Sequence, residues 1–401
     1  SGLAARCGLI AWRCARILVN SFTLPLQKAR SKLLRHLGRM RNCNDCACEI
    51  ESARTGQFGG LSICNYHHSN VKDRTMIFKR LVPAAMFVAA FSFPAAVPAH
   101  AEADAESLVN ALNAVFGAHD GVRAAHTHGF CVKGNFTPTA EAASLSKAPH
   151  FNSKTPVNLI GRFSMGGGNP AAPNFQKDNV RGIALHFDIG NGNTTDLLMI
   201  SAPVFVAKDP DQFLSLLTAV ATKDKEKIGA FFQANPNSTR QAQWLNARPV
   251  PASFATVNYW GIHAFTFTNA EGKTQVIKYK ALPVAGEVGL TDDEAKAKDP
   301  DFYRPELAER LAKGPVQFTL TAILGEPGDP VDNPTELWPE DQRKSVTLGT
   351  ISITGTEDDK TCDAGIFDPT LVVDGIEGPA NDTIFPMRSA AYAVSFGRRA
   401  K

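Results

Sequence analysis

The sequence predicts a mixed α+β domain, strand-rich and antiparallel, with helices at its ends. Three observations carry that expectation: runs in which apolar and polar side chains alternate, Gly- and Asn-rich turns between such runs, and apolar residues at helical spacing towards the ends. In chain order, Leu108, Leu112, Val115 and Phe116 share one face of a helix over Asp104–Gly117. Ile183, Leu185, Phe187 and Ile189 alternate as a strand, and Gly190-Asn191-Gly192-Asn193 turns it towards a partner over Leu197–Ile200. A helix follows over Asp211–Ala219. Ile262–Phe267 and Thr274–Tyr279 form a hairpin around Asn269-Ala270-Glu271-Gly272, and Thr291-x-x-Glu294 is a capping box that opens another helix. Val316–Leu324 and Val346–Ile353 add two strands, joined by a connection, 325–343, rich in Pro, Gly and Asp. The stretch around Arg388 and Tyr392 is read as helical, because side chains four apart then share a face and the guanidinium lies beside the phenol.

Ala101 divides the chain. Before it come Met76-Ile-Phe-Lys79-Arg80, an apolar run from Leu81 to Phe93, and Ala99-His100-Ala101. A charged start, a short apolar centre and a small-residue end predict a secretory signal peptide over 76–101. The run is too short to span a bilayer and Pro83 interrupts it. The mature domain, 102–401, is therefore expected in the periplasm or secreted, with no membrane insertion after signal removal. Residues 1–75 lie upstream of the signal, where a folded domain has no place. They hold six of the eight cysteines, with Cys43-x-x-Cys46-x-Cys48 and Cys64-x-x-His67-His68. Those ligand types suit zinc, but weak periodicity and basic composition favour a non-coding or disordered extension, with Met76 as the start.

The full chain carries 42 basic and 39 acidic side chains; residues 1–101 hold 14 and 4 of them, leaving 28 and 35 and a formal charge of −7. No basic stripe survives, so no nucleic-acid partner is expected. Cys131 and Cys362 remain, and an oxidising compartment allows either a bridge or two buried thiols.

Two short motifs point to chemistry. Arg123-Ala-Ala-His126-Thr127-His128-Gly129 offers an imidazole for proton transfer, and Arg388-Ser-Ala-Ala-Tyr392 offers a phenol beside a cation, which favours the anionic phenolate that ferric iron binds. Tyrosine is an unusual axial ligand of haem iron, and catalase is where it occurs. From about Ala105 to its end the chain resembles the catalase superfamily, in particular the short catalase-related peroxidases. The resemblance rests on Arg123-x-x-His126-x-x-Gly129 with Gly134-x-Phe136, Arg162-Phe163-Ser164, and Arg181-Gly182-Ile183-Ala184-Leu185-His186-Phe187. It continues through Ala202-Pro203-Val204-Phe205, Lys208-Asp209-Pro210 with Phe213, Phe367-Asp368-Pro369-Thr370, and Gly375-Ile376, and closes with Arg388-x-x-x-Tyr392, in family order.

The resemblance implies an antiparallel β-barrel of the catalase type with flanking helices and one pocket for haem b. It assigns His126 as catalytic distal histidine and Ser164 as the hydroxyl that orients it. Phe213 is the ring against the haem, Arg123, Arg162 and Arg399 are partners of the propionates, Tyr392 is the iron ligand, and Arg388 is its partner. His128, His186 and His263 are read as solvated or hydrogen-bonded bystanders, though His128 would share a face with His126 were the motif a strand. In two places the chain departs from the pattern. Ile200 or Ser201 stands where catalases carry a distal asparagine, and Ala125 where a valine usually precedes the histidine. Losing the amide is expected to weaken peroxide disproportionation while sparing peroxide reduction. The function implied is reduction of hydrogen peroxide or organic hydroperoxides with a small organic electron donor, plus weak catalase activity, in a monomer or small homo-oligomer. Two alternatives are a hydroperoxide-rearranging enzyme of the allene oxide synthase type, against which Ala125 in place of threonine counts, and a non-enzymatic haem carrier.

Overall fold

Alternating apolar side chains give each strand one face to bury, and here the strands curl around that face and close completely. The structure, a computed structural model, describes residues 102–400; the expected extension 1–75, its cysteine cluster and the signal 76–101 lie outside the described residues. The strands are β1 (Gly129–Pro138), β2 (Val157–Met165), β3 (Arg181–Gly190), β4 (Asn193–Ile200), β5 (Val250–Pro251) and β6 (Tyr259–Trp260). They continue with β7 (Phe265–Thr268), β8 (Thr274–Pro283), β9 (Gly289–Leu290), β10 (Val316–Leu324), β11 (Ser345–Thr356) and β12 (Ile376–Glu377). The order β10-β11-β1-β2-β3-β4-β6-β8 returns to β10 through a further β10–β8 pairing, with every contact antiparallel. This is a closed eight-stranded antiparallel barrel, extended by β7 and β12 at β8, and the fold class is α+β as expected. Closure leaves no unpaired barrel edge. The interior is filled by Phe136, Phe163, Phe187, Phe318, Leu185 and Ile351, each essentially inaccessible to solvent.

The helices that matter to function are α1 (Ala105–Phe116), α2 (Pro210–Ala221), α3 (Lys225–Ala234), α4 (Arg240–Asn246), α5 (Asp359–Asp363) and α6 (Ile384–Arg399). Local chemistry starts them. Asp104 and Ser107 form a capping box on α1, and Asp209 caps α2 at Gln212 N, 2.7 Å, with Pro210 at its first position. The Thr291–Glu294 capping box opens a one-turn helix, Asp292–Lys296, as read from sequence.

One local expectation is corrected. β7 begins at Phe265 rather than Ile262, because His263 turns aside to pair with Asp382, Nδ1···Oδ2 2.6 Å. His126 and His128 are not on a strand. They sit in an irregular segment before β1, so they do not share a face, and His128 turns away to Ala172 O (2.6 Å) and Asp301 (2.8 Å). β1 and β2 escape a search for alternation. β1 carries a bulge between Lys133 and Gly134, where a Cβ on Gly134 would lie 2.0 Å from Ser352 O, and most of β2 is buried on both faces.

Cys131 on β1 and Cys362 on α5 are joined as a disulfide, with Cα atoms 5.7 Å apart across a separation of 231 residues. A cross-link closing so long a loop removes much disorder from the unfolded chain, so Cys131→Ser/Cys362→Ser is expected to cost ~2–5 kcal/mol of stability. Urea unfolding of the oxidised wild type and the double variant measures this; equal midpoints and slopes would refute it.

Candidate functional site

One cavity of about 560 Å3 lies beside the barrel, between the outer surface of β2–β4 and β6 and the helices α1, α2, α3 and α6. Its volume is that of a site for a sizeable organic ligand. Leu108, Leu112, Phe116, Leu216, Val220 and Phe232 supply apolar wall from three helices. The polar lining is dominated by Arg123, Arg162, Arg388 and Arg399, with Asp178 the one carboxylate.

His126 stands on one wall. Its backbone is left-handed, φ 54°, an uncommon conformation for a residue with a side chain. The surroundings hold it there. Arg162 donates to the His126 carbonyl at 2.7 Å and to the Thr127 carbonyl at 2.9 Å, and the imidazole Nδ1 shares a hydrogen bond with Ser164 Oγ at 2.9 Å. The ring packs over Gly182, which pairs with Ser164 across β2 and β3; a Cβ there would come 3.0 Å from both Cε1 and Nδ1 of His126. Burial, and then the charges of Arg162, Arg388 and Arg123, push the His126 pKa down to about 4. The imidazole is thus neutral at physiological pH and able to accept a proton.

Tyr392 stands on α6 at the same cavity. Its hydroxyl accepts hydrogen bonds from Arg388 Nη2 at 2.9 Å and Nε at 3.1 Å, the arrangement expected from i, i+4 spacing. Two anchors fix this helix, and the sequence reading missed both. Asp382 accepts from Ile384 N at 3.0 Å while holding His263. Ser389 donates to Asp368, whose own N–H donates to Asp196 at 2.7 Å, with His186 on the other Asp196 oxygen. An aspartate two residues before the helix was the only local signal for the first; the second joins residues far apart in sequence. His263 and His186 are hydrogen-bonded bystanders to the cavity, as expected, but they brace the helix that carries Tyr392.

Phe213 on α2 lines the cavity, its ring 5.1 Å from that of Phe205. Ile200 and Ser201 were left as alternatives for the missing amide. Ile200 lines the cavity, whereas Ser201 is buried away from it and accepts from Arg181 N at 2.9 Å. Two arginines mark the rim, while Arg162 is buried behind His126. Arg123 pairs with Asp363 and donates to Cys362 O at 2.6 Å; Arg399 donates to Gly365 O at 2.6 Å, and its buried Nε has no partner among the described residues. The disulfide holds α5 and hence Asp363, so it also steadies Arg123.

His263 and the core residue His150 are buried and His126 is partly covered on the cavity wall; their pKa values are lowered to about 4, about 3 and about 4, desolvation being the first cause in each. The unfolded chain therefore binds more protons below pH 6.5, so stability rises with pH in that range and is lost as pH falls towards 4. Each imidazole contributes ~1.4 kcal/mol per pH unit over that window. Thermal unfolding followed by circular dichroism should show a steep drop in Tm between pH 6.5 and 4.5; a flat Tm would contradict neutral burial of these rings.

A neutral histidine and an arginine-backed phenol that share one apolar cavity, with cations in its lining, define a class of site: a proton-transfer site for a sizeable, largely apolar ligand with anionic groups. The chain belongs to the catalase family, whose model matches residues 121–399. It is 35% identical over 304 residues to a catalase-related peroxidase of Synechococcus elongatus, covering 74% of this chain and 88% of that one. It is 37% identical to a catalase-related peroxidase of Mycolicibacterium paratuberculosis, over 72% and 93%. In fold it is similar to a fungal catalase, TM-score 0.62 at 21% identity, and to catalase A of Saccharomyces cerevisiae, TM-score 0.62 at 20% identity; it covers 69% of this chain in both and 59% and 61% of theirs.

Proposed function

We propose that the protein is a haem b-dependent peroxidase that reduces hydrogen peroxide with an organic electron donor and has weak catalase activity. The observation that carries this reading is the presence of His126 and Tyr392, each with its supporting partner, on one cavity. The residues suit the cofactor. Apolar walls match a porphyrin, the rim arginines match anionic carboxylates, and the orphaned Nε of Arg399 is a donor awaiting an acceptor. Tyr392 would ligate the iron with Arg388 donating to its oxygen, Phe213 would lie against the ring, and Arg123, Arg162 and Arg399 would face the propionates.

Bound there, haem supplies an iron that takes up two oxidising equivalents from peroxide. The protein moves the proton. With Nδ1 tied to Ser164, His126 uses Nε2 to take a proton from one peroxide oxygen and return it to the other, so that water can leave. Such transfer by a positioned imidazole is worth ~10²–10⁴-fold. A storage protein needs no such base. The disulfide between Cys131 and Cys362 supports an exported, oxidising location, consistent with a signal at 76–101.

The test is an absorption spectrum of the purified protein, followed by dye oxidation and oxygen release on one sample. Tyrosinate-ligated ferric haem with peroxide-dependent dye oxidation is expected. A protein that retains haem yet oxidises no donor, or that rearranges fatty-acid hydroperoxides instead, would overturn the reading.

A further inference from the structure

One pair of aromatic rings connects the cavity to the protein surface. Trp260, on β6 beside Ile200, forms part of the cavity wall and is 5% exposed. Its Nε1–H donates to Glu340 Oε1 at 2.8 Å, and the other Glu340 oxygen accepts from Lys280 at 2.8 Å. The ring meets Trp244 edge-on, with centroids 5.4 Å apart and an interplanar angle of 85°. Trp244 is on α4, outside the cavity and half-buried, with the Arg248 guanidinium carbon 3.2 Å from its ring centroid. Indole is among the most easily oxidised side chains, and two rings in contact exchange an electron without either having to move.

We propose that Trp260 and Trp244 form an electron relay, so that donors too bulky for the cavity are oxidised at the surface beside Trp244. This rests on the peroxidase reading above. Trp260 gives one electron to the oxidising equivalents that peroxide leaves in the cavity, and its Nε1 proton moves to Glu340. Trp244 then passes one electron to Trp260, which recovers its proton from Glu340. A surface donor D–H returns one electron to Trp244 and releases its proton to solvent. Two passages balance one turnover: one H2O2 and two D–H give two H2O and two D radicals.

The charges rank the two rings. Lys280, 4.9 Å from the Trp260 ring, and Arg248 over Trp244 both oppose positive charge on an indole. Glu340 offsets the first by accepting the proton, whereas Trp244 Nε1 has no partner among the described residues to do the same. The electron vacancy therefore rests on Trp260, and Trp244 is the higher step, raised by Arg248.

The experiment compares haem-loaded wild type, Trp244→Phe and Arg248→Met on a small phenol and on the same phenol coupled to a dextran too large for the cavity. Trp244→Phe should lower turnover of the dextran phenol by ~tenfold or more and leave the free phenol unchanged, while Arg248→Met should raise the dextran rate. A second readout does not depend on turnover. Peroxide and a nitroso spin trap, without donor, should leave a mass-spectrometric adduct on Trp260 in both proteins, where the vacancy rests, and a second on Trp244 in the wild type alone. Equal dextran-phenol rates in wild type and Trp244→Phe with no adduct on either tryptophan would overturn the relay. So would a wild type that oxidises only the free phenol, and in both cases the peroxidase reading would stand. Failure to oxidise either donor would overturn both.

Discussion

Tyr392→Phe is expected to abolish stable haem binding, or to change the ferric spectrum outright, while leaving the barrel folded. The phenol oxygen is the one side-chain atom on the cavity that combines an arginine on two hydrogen bonds with the capacity to become an anion. Removing it deletes the proposed iron ligand without touching the barrel core, since α6 is held by Asp382 and Asp368, not by Tyr392. The measurement is haem content and absorption spectrum after gel filtration, with circular dichroism as the control for folding. Arg388→Leu should be milder, weakening retention rather than eliminating it. A Tyr392→Phe protein with full haem content and an unchanged spectrum would remove Tyr392 from the site.

The second large effect is on the other wall. His126→Ala should lower peroxide reduction by ~10²–10⁴-fold with haem content unchanged, because the proposed function gives proton transfer to His126 and iron ligation to Tyr392. As the His126 pKa is pushed down to about 4, wild-type reaction with peroxide should stay level from pH 8 to 5 and fall as His126 protonates towards pH 4. Ile200 presents hydrocarbon to the same cavity, so peroxide held there lacks an amide partner and oxygen release should be slow relative to donor oxidation. Ile200→Asn should shift that ratio towards oxygen. Stopped-flow spectra with peroxide, and an oxygen electrode in the presence and absence of an aromatic donor, check all three. Oxygen release by the wild type at the rate of a full-length catalase, with no donor oxidation, would show that Ile200 does not set the balance.

Much of this was legible in the chain. Capping residues, turns and alternation marked α1, α2, β3, β4, β8, β10 and β11, because local geometry is set by neighbours in sequence. Arg388 and Tyr392 were legible for the same reason: a helix brings residues four apart together whatever the rest of the fold does. β1 and β2 were not, since a bulge and burial on both faces erase the period on which strand reading depends. His128 shows the limit within one motif. Only the chain direction before β1 separates it from His126, and that direction depends on Arg162 holding two carbonyls from a neighbouring strand.

The sequence by itself determined the chemical parts: an imidazole, a phenol with its cation, the rim arginines, and the loss of an amide near residues 200 and 201. Tertiary structure alone decided which of Ile200 and Ser201 faces the cavity, that Cys131 and Cys362 are bridged, and that His263 and His186 brace α6. It also brought Trp260 of the cavity wall against Trp244. These outcomes depend on contacts between residues tens to hundreds of positions apart, and barrel closure fixes such contacts only when all eight strands are in register.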